Sequence, residues 1–296
     1  MRSEFETRRE IVEIGRRLWE RRYVASNDGN ISARVGESIL VTPTGVSKGF
    51  MDPSDLIVVS RDGKKLSGSA APTSELPMHL AVYELRDDVG AVVHAHPPKS
   101  TGFAVAGQPL AQCVLPEVIL TLGKVPLAEY ATPSTDEVVR SVRDLVPRYN
   151  AVLLSNHGVL TLGGDLSQAY FRMETVEHFA EITLAARALG GVSPLSTEDV
   201  RKLLNVREQL GLGEATLECS ECGACDGPGA STRAGGGEPP DGRVDATAGA
   251  ASTAPVDATR GAPKTSPGTE GLDEEEIVRA VMARLGDVLD KKGDPK

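Results

Sequence analysis

Cysteine is scarce in this chain of 296 residues, which contains four, and Cys113 stands far from the other three. This spacing does not make a disulfide framework. Long apolar runs are also missing, since none approaches the roughly 18 residues that suggest a membrane span. The first segment, MRSEFETRREIVEIGRR, is charged and has no apolar signal core, so we expect no export.

Positive charge is in the minority. Lys and Arg total 32 against 42 Asp and Glu, which leaves a formal net charge of −10. A binder of the nucleic-acid backbone would need the opposite balance. We therefore expect an acidic, soluble, cytoplasmic protein without nucleic-acid or membrane partners.

The composition changes sharply near residue 218 and divides the chain. Residues 1–218 carry apolar residues at helix and strand spacing, which predicts one domain of ordinary size. Residues 226–271 contain ten Gly and six Pro with only two large aliphatic residues, so this stretch is predicted to be a disordered linker. Helical periodicity returns in residues 272–291.

Helix-like and strand-like stretches alternate through the first domain. The predicted helices span 5–22, 75–85, 135–145, 166–189 and 197–210. The predicted strands span 31–35, 38–41, 56–60, 91–96, 151–155 and 159–162. Because the strands are short and hairpin-like, we expect a layered α/β fold with a mixed or antiparallel sheet.

Three of the five histidines lie at strand ends. His94 and His96 are two residues apart on a strand, so both imidazoles point to one face. His157 lies in the turn SNHG, and Glu75 opens a helix. Three imidazoles and one carboxylate suit zinc or another divalent first-row ion. His79, one helical turn after Glu75, is placed to support such a site; the alternative is an ordinary buried strand end.

Polar turns offer groups that bind an anion. The turn NDGNIS is rich in residues that tolerate left-handed backbone, and TPTG forms a second polar turn. Thr73 and Ser74 precede a helix start, where free N–H groups and the helix dipole favour negative charge. Each turn alone is common, so an ordinary turn or helix cap is the alternative.

The order of five motifs resembles that of the class II aldolase/adducin family: NDGNIS, TPTG, APTSE, VVHAHP and NHG. The resemblance covers roughly residues 5 to 210. It implies a three-layer α/β/α sandwich around a mainly antiparallel sheet, usually assembled as a homotetramer. It also implies zinc ligands at His94, His96 and His157, with Glu75 as the carboxylate at the metal. The implied phosphate-binding residues are Asn30, Thr44, Gly45, Thr73 and Ser74.

The sugar-cleaving members of the family are fuculose- and rhamnulose-phosphate aldolases. The resemblance therefore implies cleavage of a deoxyketose 1-phosphate to dihydroxyacetone phosphate and lactaldehyde. Zinc would stabilise the enediolate as a Lewis acid, and Glu75 would move the proton. Ribulose-phosphate 4-epimerases and methylthioribulose-phosphate dehydratases use the same sites and stay open as the alternative. An adducin-like module without metal is a more distant one, against which the four ligand residues argue.

One catalytic group of the family is missing at its expected position. In fuculose-phosphate aldolase, a tyrosine from a neighbouring subunit is the proton donor on the aldehyde side, shortly after an Ile-Pro pair. This chain has Leu115 and Pro116 there, with Leu120 at about the tyrosine position. Glu117, Tyr130 or a water molecule are the candidates that remain.

Three cysteines lie between the predicted domain and the linker. Cys219, Cys222 and Cys225 are spaced like soft-metal ligands, for zinc or an iron–sulfur cluster. A fourth local cysteine is missing, so a redox-sensitive hinge is the alternative reading.

The segment 272–291 is predicted to be an amphipathic helix. Its apolar stripe includes Ile277, Val281, Leu285 and Leu289. A linker followed by one such helix resembles the encapsulation peptides that direct enzymes into bacterial microcompartments. This resemblance implies a shell-protein partner and a place in the compartment lumen. The alternative is a helix that folds back on its own domain or associates with itself.

Overall fold

Stretches rich in Val, Ile and Leu pair into one sheet in the computed structural model, which describes residues 3–212. The strands are β1 (Asn30–Val35), β2 (Ser38–Val41), β3 (Ile57–Ser60), β4 (Lys65–Ser67), β5 (Ala91–Ala95), β6 (Leu127–Ala128), β7 (Ala151–Leu154) and β8 (Gly158–Gly163). Their order across the sheet is β4-β3-β2-β1-β5-β8-β7-β6. Neighbouring strands are antiparallel except β6 and β7, so the predicted, mainly antiparallel sheet is confirmed.

Helices cover both faces of the sheet. They are α1 (Glu4–Glu20), α2 (Leu76–Leu85), α3 (Pro98–Val105), α4 (Pro116–Thr121), α5 (Asp136–Arg143), α6 (Leu166–Ala188) and α7 (Thr197–Gln209). The first helix begins where Ser3 and Glu6 form a capping box, in which each side chain bonds the other residue's backbone N–H. Short 3-10 turns at Lys48–Phe50 and Pro53–Asp55 follow β2.

Two hydrophobic cores lie on opposite sides of the sheet. Val93 packs with side chains of α1, α3, α4 and α6, whereas its neighbour Val92 packs with those of α2 and α5. Both valines are fully buried, and each such side chain stabilises the fold by about 1.5–3 kcal/mol. The alternation of strand side chains thus produces three layers, and the expected α/β/α sandwich is confirmed.

Several short elements escape the sequence interpretation. The helices α3 and α4 have eight and six residues, too few to show a clear helical period, and each begins at a Pro-containing turn. The strands β4 and β6 have three and two residues. Most predicted ends differ from the observed ones by one or two residues, and two of these differences concern the site: β5 stops at Ala95 and α2 starts at Leu76. His96 and Glu75 therefore lie just outside their regular elements, where side chains can turn towards a common point.

The carboxyl-terminal predictions concern residues outside the described range. They are the cysteine segment 219–225, the linker 226–271 and the helix 272–291. Within residues 3–212, no helix combines the length and the apolar character needed to cross a membrane.

Candidate metal centre

The strand β5 carries His94 into the middle of the sheet. It pairs with β1 on one side and β8 on the other, with His94 opposite Asn30 and Leu160. His94 is fully buried as a result. His96 follows the strand, and its backbone N–H donates to the carbonyl of Tyr23, which fixes the chain as it leaves the sheet.

The turn between β7 and β8 brings His157 to the same place. Asn156 adopts a left-handed conformation with φ of 57°, which asparagine tolerates better than most residues. Gly158 follows because space is short: a Cβ atom there would lie 2.5 Å from Cδ2 of His96 and 2.6 Å from the carbonyl oxygen of Ala95. The sequence NHG thus allows β8 to begin directly against the histidine pair.

The three imidazoles converge on one point. Their ring centroids are 4.7–4.9 Å apart, and one nitrogen of each ring lies within 4.8 Å of the others. The Nε2 atoms of His94 and His96 are 3.0 Å apart. Glu75 adds its carboxylate, with Oε2 at 3.3 Å from Nε2 of His94 and Oε1 at 3.5 Å from Nε2 of His157.

The Nδ1 atoms of His94 and His96, which face away from the point where the rings converge, also have partners. Nδ1 of His94 lies 2.9 Å from the carbonyl oxygen of Val159, and since a carbonyl only accepts, Nδ1 carries the proton. Nδ1 of His96 faces the carboxylate of Asp28 at 3.5 Å. Nε2 of His94 is then left as an acceptor that faces Nε2 of His96.

Burial and charge keep the imidazoles of His94 and His157 neutral and the carboxyl of Glu75 ionised. Burial lowers the pKa of His94 to about 3, against the opposing influence of Glu75. Burial also lowers the pKa of His157. Burial raises the pKa of Glu75, but the neighbouring imidazoles of His94 and His157 and the hydrogen bond from Asn30 outweigh it and lower that pKa to about 2.

This arrangement fits a divalent cation. Lone pairs and a carboxylate face one point, and Oε1 of Glu75 is buried without a hydrogen-bond partner among the described residues. A cation at that point would satisfy these acceptors together. Three imidazole nitrogens and one carboxylate oxygen are a donor set that zinc accepts.

The predicted anion-binding residues line a cleft of about 210 Å³ that also contains Glu75, His96 and His157. These lining residues are Asn30, Thr44, Gly45, Thr73 and Ser74. Gly45 has a φ of 74°, the left-handed region that favours glycine, and the hydroxyl of Ser134 donates to that of Ser74 at 2.8 Å. The structure therefore brings together the ligand-type residues and the polar turns.

Three residues of the cleft are absent from the sequence interpretation: Lys48, Pro133 and Ser134. Lys48 is only 2% exposed, and its ammonium donates to the backbone carbonyls of Asn27 at 2.9 Å and Val46 at 2.5 Å. Burial lowers the pKa of Lys48 to about 8, although Asp28 opposes the shift. No period or motif marks this lysine, because its burial depends on how two distant turns meet.

The two protein groups proposed as proton donors lie elsewhere in the described chain. Tyr130 is 65% exposed, Glu117 is exposed on α4, and neither lines the cleft. Within one described chain, neither Glu117 nor Tyr130 therefore lies beside the histidines.

Residues 9–184 match the family model of the class II aldolase and adducin N-terminal domain. The chain belongs to this family. An L-fuculose phosphate aldolase of Methanococcus maripaludis is 35% identical over 173 residues, which are 58% of this chain and 93% of the relative. A 3-oxo-tetronate 4-phosphate decarboxylase of Cupriavidus necator is 32% identical over 195 residues, 64% of this chain and 89% of the relative.

Solved structures of the family share the fold. An L-fuculose 1-phosphate aldolase superposes with a TM-score of 0.64 at 29% identity, over 70% of this chain and 96% of that one. The class II aldolase family supports an enzyme of the lyase type, and its members typically bind Zn²⁺. The three histidines described above are where this member could hold such an ion.

Proposed function

We propose that the protein is a zinc-dependent aldehyde-lyase that cleaves a deoxyketose 1-phosphate, of the L-fuculose or L-rhamnulose type, to dihydroxyacetone phosphate and lactaldehyde. One observation carries the proposal: one ring nitrogen from each of His94, His96 and His157 converges beside Glu75, and Glu75, His96 and His157 line a cleft with the polar turns. The fuculose phosphate aldolases among the relatives support this choice of substrate class.

The polar turns would bind the phosphate end of the substrate. Asn30, Thr44, Thr73 and Ser74 offer an amide and three hydroxyls, and Gly45 lets the backbone approach closely. Binding energy at this remote end would hold the reacting carbons beside Glu75 and the histidines. No lysine has to form a Schiff base with the ketone in this scheme.

Glu75 and the three histidines would act on the carbon–carbon bond that is cleaved. A divalent cation, held by His94, His96 and His157 with Glu75, supplies Lewis-acid chemistry at the ketone when bound. The hydroxyl on C4 gives up its proton to the group that returns it in the reverse, condensing direction. The bond between C3 and C4 breaks, its electron pair stays on C3 of the three-carbon phosphate fragment, and C4 becomes the aldehyde carbon. Glu75 would move the proton that C3 then needs, since its Oε1 accepts no hydrogen bond within the described structure.

A second reaction has support from another group of relatives. The 3-oxo-tetronate 4-phosphate decarboxylases are 32% identical to this chain over comparable lengths. In such a decarboxylation the bond to the carboxylate breaks, carbon dioxide leaves, and the electron pair stays on the carbon beside the ketone, where a proton adds. Both reactions place charge beside a ketone, so the same residues could serve either.

A panel of substrates separates these reactions. Purified protein would be incubated with zinc and, in turn, fuculose 1-phosphate, rhamnulose 1-phosphate, ribulose 5-phosphate and a 3-oxo acid phosphate. We expect equimolar dihydroxyacetone phosphate and lactaldehyde from one of the first two. Release of carbon dioxide from the last alone would favour the decarboxylase, whereas an epimer of ribulose 5-phosphate would favour the epimerase.

The proposal also includes the oligomeric state of the protein and its location in the cell. A homotetramer would let a neighbouring chain supply the proton donor that one chain does not place in the cleft. The apolar stripe of residues 272–291 would dock in a groove of a microcompartment shell protein, the helix-in-groove mode of recognition. The domain boundaries at 218 and 271 follow from the same reading of the composition, and the three-cysteine segment stays a predicted soft-metal site.

A further inference from the structure

A chain of buried hydrogen bonds leads from the second core to the candidate metal centre. The hydroxyl of Tyr83 lies 2.8 Å from that of Ser32, which lies 2.7 Å from Nδ1 of His79. Nε2 of His79 lies 2.6 Å from Oδ1 of Asn30, and Nδ2 of Asn30 donates to Oε2 of Glu75 at 2.8 Å. The other carboxylate oxygen of Glu75 faces His157.

The carboxylate determines the direction of every bond in this chain. An ionised Glu75 only accepts, so Asn30 must present its NH₂ group to it and its oxygen to His79. His79 must then donate from Nε2, which leaves Nδ1 as an acceptor for the hydroxyl proton of Ser32. The hydroxyl of Ser32 is thereby free to accept from Tyr83.

Burial makes this order costly to change. His79 and Ser32 are fully buried, and Asn30 is 2% exposed, so bulk water cannot replace a lost partner. Burial also lowers the pKa of His79 to about 4, although the charge of Glu75 opposes this shift. The ring is therefore neutral and carries a single N–H. A flipped Asn30 amide would set its oxygen against the carboxylate and its NH₂ against the N–H of His79.

We propose that His79 is a positioning residue that fixes the amide of Asn30, and through it holds Glu75 at the candidate metal centre. The role follows from the fold, since His79 lies four residues after Glu75 and β1 runs beside α2. Asn30 has a second amide N–H and also lines the cleft, so the same bond orients a donor for an anion. This inference rests on the proposed metal and phosphate sites for its catalytic consequence, but not for its geometry.

Two substitutions of similar size separate positioning from packing. In His79→Gln, the side-chain NH₂ reaches the place of Nε2 and can still donate to Asn30. In His79→Asn, the shorter side chain reaches only the place of Nδ1, so it can accept from Ser32 but leaves Oδ1 of Asn30 without a donor. Both variants lose the ring and should unfold at similarly lowered temperatures.

The experiment measures zinc affinity by competition with a chelator, and kcat and KM on the ketose phosphate, for the wild type and both variants. We expect His79→Asn to lower zinc affinity and kcat/KM about tenfold or more, as loss of a group that supports a metal ligand does. His79→Gln should stay within about threefold of the wild type. Equal losses in the two variants would assign His79 a packing role and overturn the proposal.

A measurement on the unaltered protein covers the case in which a variant does not fold. Nitrogen-15 spectra of protein labelled on histidine report which ring nitrogen carries the proton. We expect His79 to be the Nε2–H form; the Nδ1–H form would overturn the proposal. If the wild type cleaves no ketose phosphate, the proposed function fails, while the zinc affinities and the spectrum still decide the role of His79.

Discussion

The Nε2 atoms of His94 and His96 lie 3.0 Å apart, and that of His94 carries no proton. Their Nδ1 atoms are occupied by the carbonyl of Val159 and the carboxylate of Asp28. With the proton of His96 on the nitrogen that faces Asp28, both Nε2 atoms would turn lone pairs towards a cation placed beside Glu75. The hydrogen bonds on the far edges of the rings therefore prepare the site, as they do for metal-binding histidines generally.

The phosphate turns can be tested at Ser74. Its hydroxyl accepts from Ser134 and lines the cleft, so Ser74→Ala should remove one hydrogen bond to the charged phosphate. The expected loss is about 1.5–3 kcal/mol, or roughly 10- to 150-fold in kcat/KM. Ser141→Ala is the control, because that hydroxyl bonds a backbone carbonyl within α5. Equal use of phosphorylated and unphosphorylated ketose by the wild type would refute the phosphate site.

Proton transfer can be tested at Glu75. Glu75→Gln keeps the shape of the side chain and an acceptor for Asn30, so the fold should persist. The variant should lose exchange of the C3 proton of dihydroxyacetone phosphate with solvent deuterium, because an amide is no base at neutral pH. Proton NMR of the labelled product measures this exchange. Undiminished exchange in the variant would remove Glu75 as the group that moves the proton.

Lys48 predicts a pH dependence of stability. Its pKa is lowered to about 8 in the folded protein from 10.5, so between these values the unfolded chain binds more protons. The contribution of Lys48 to the free energy of unfolding should therefore rise with pH across that window, by at most about 1.4 kcal/mol per pH unit. Denaturant titrations of wild type and Lys48→Met should differ in this slope, and identical slopes would mean that Lys48 titrates normally.

The segment 272–291, predicted to be a helix, should be dispensable for catalysis. Truncation after Cys225 should leave kcat and KM unchanged, because the motifs of the active site end before residue 210. If residues 226–271 form the flexible linker that their composition predicts, its root-mean-square reach would be roughly 35–40 Å, enough for docking at a distance. A fluorescent protein fused to residues 226–296 should form compartment-sized foci in a compartment-forming bacterium, and Val281→Asp should disperse them. Diffuse signal from the unaltered fusion would contradict the targeting role.

Much of the architecture could be predicted because local patterns and tertiary environment agree. The strand bearing His94 is apolar before the histidine and lies in the centre of the sheet, where both faces are buried. The turn residues Asn156 and Gly158 are the types that the left-handed backbone and the contact with His96 require. The metal-ligand character of the histidines in HAH and NHG can therefore be predicted from the sequence, without the fold that brings the two motifs together.

Other features arise only when distant segments meet. Lys48 is a charged residue in a polar turn, and nothing nearby indicates that its ammonium will be buried against the carbonyl of Asn27. The order of the hydrogen bonds through His79 likewise depends on Ser32 and Asn30 from another element. The proton donor is a third case, because neither Glu117 nor Tyr130 lines the cleft of a single described chain.

The most direct test of the account joins metal content to product formation. Wild type, His94→Ala/His96→Ala and His178→Ala, an exposed histidine on α6 that serves as the control, would be analysed for bound zinc and for dihydroxyacetone phosphate released from fuculose and rhamnulose 1-phosphate. We expect one zinc per chain and product from the wild type and the control, and neither from the double variant. Full metal occupancy, or undiminished product, in the double variant would contradict the central claim.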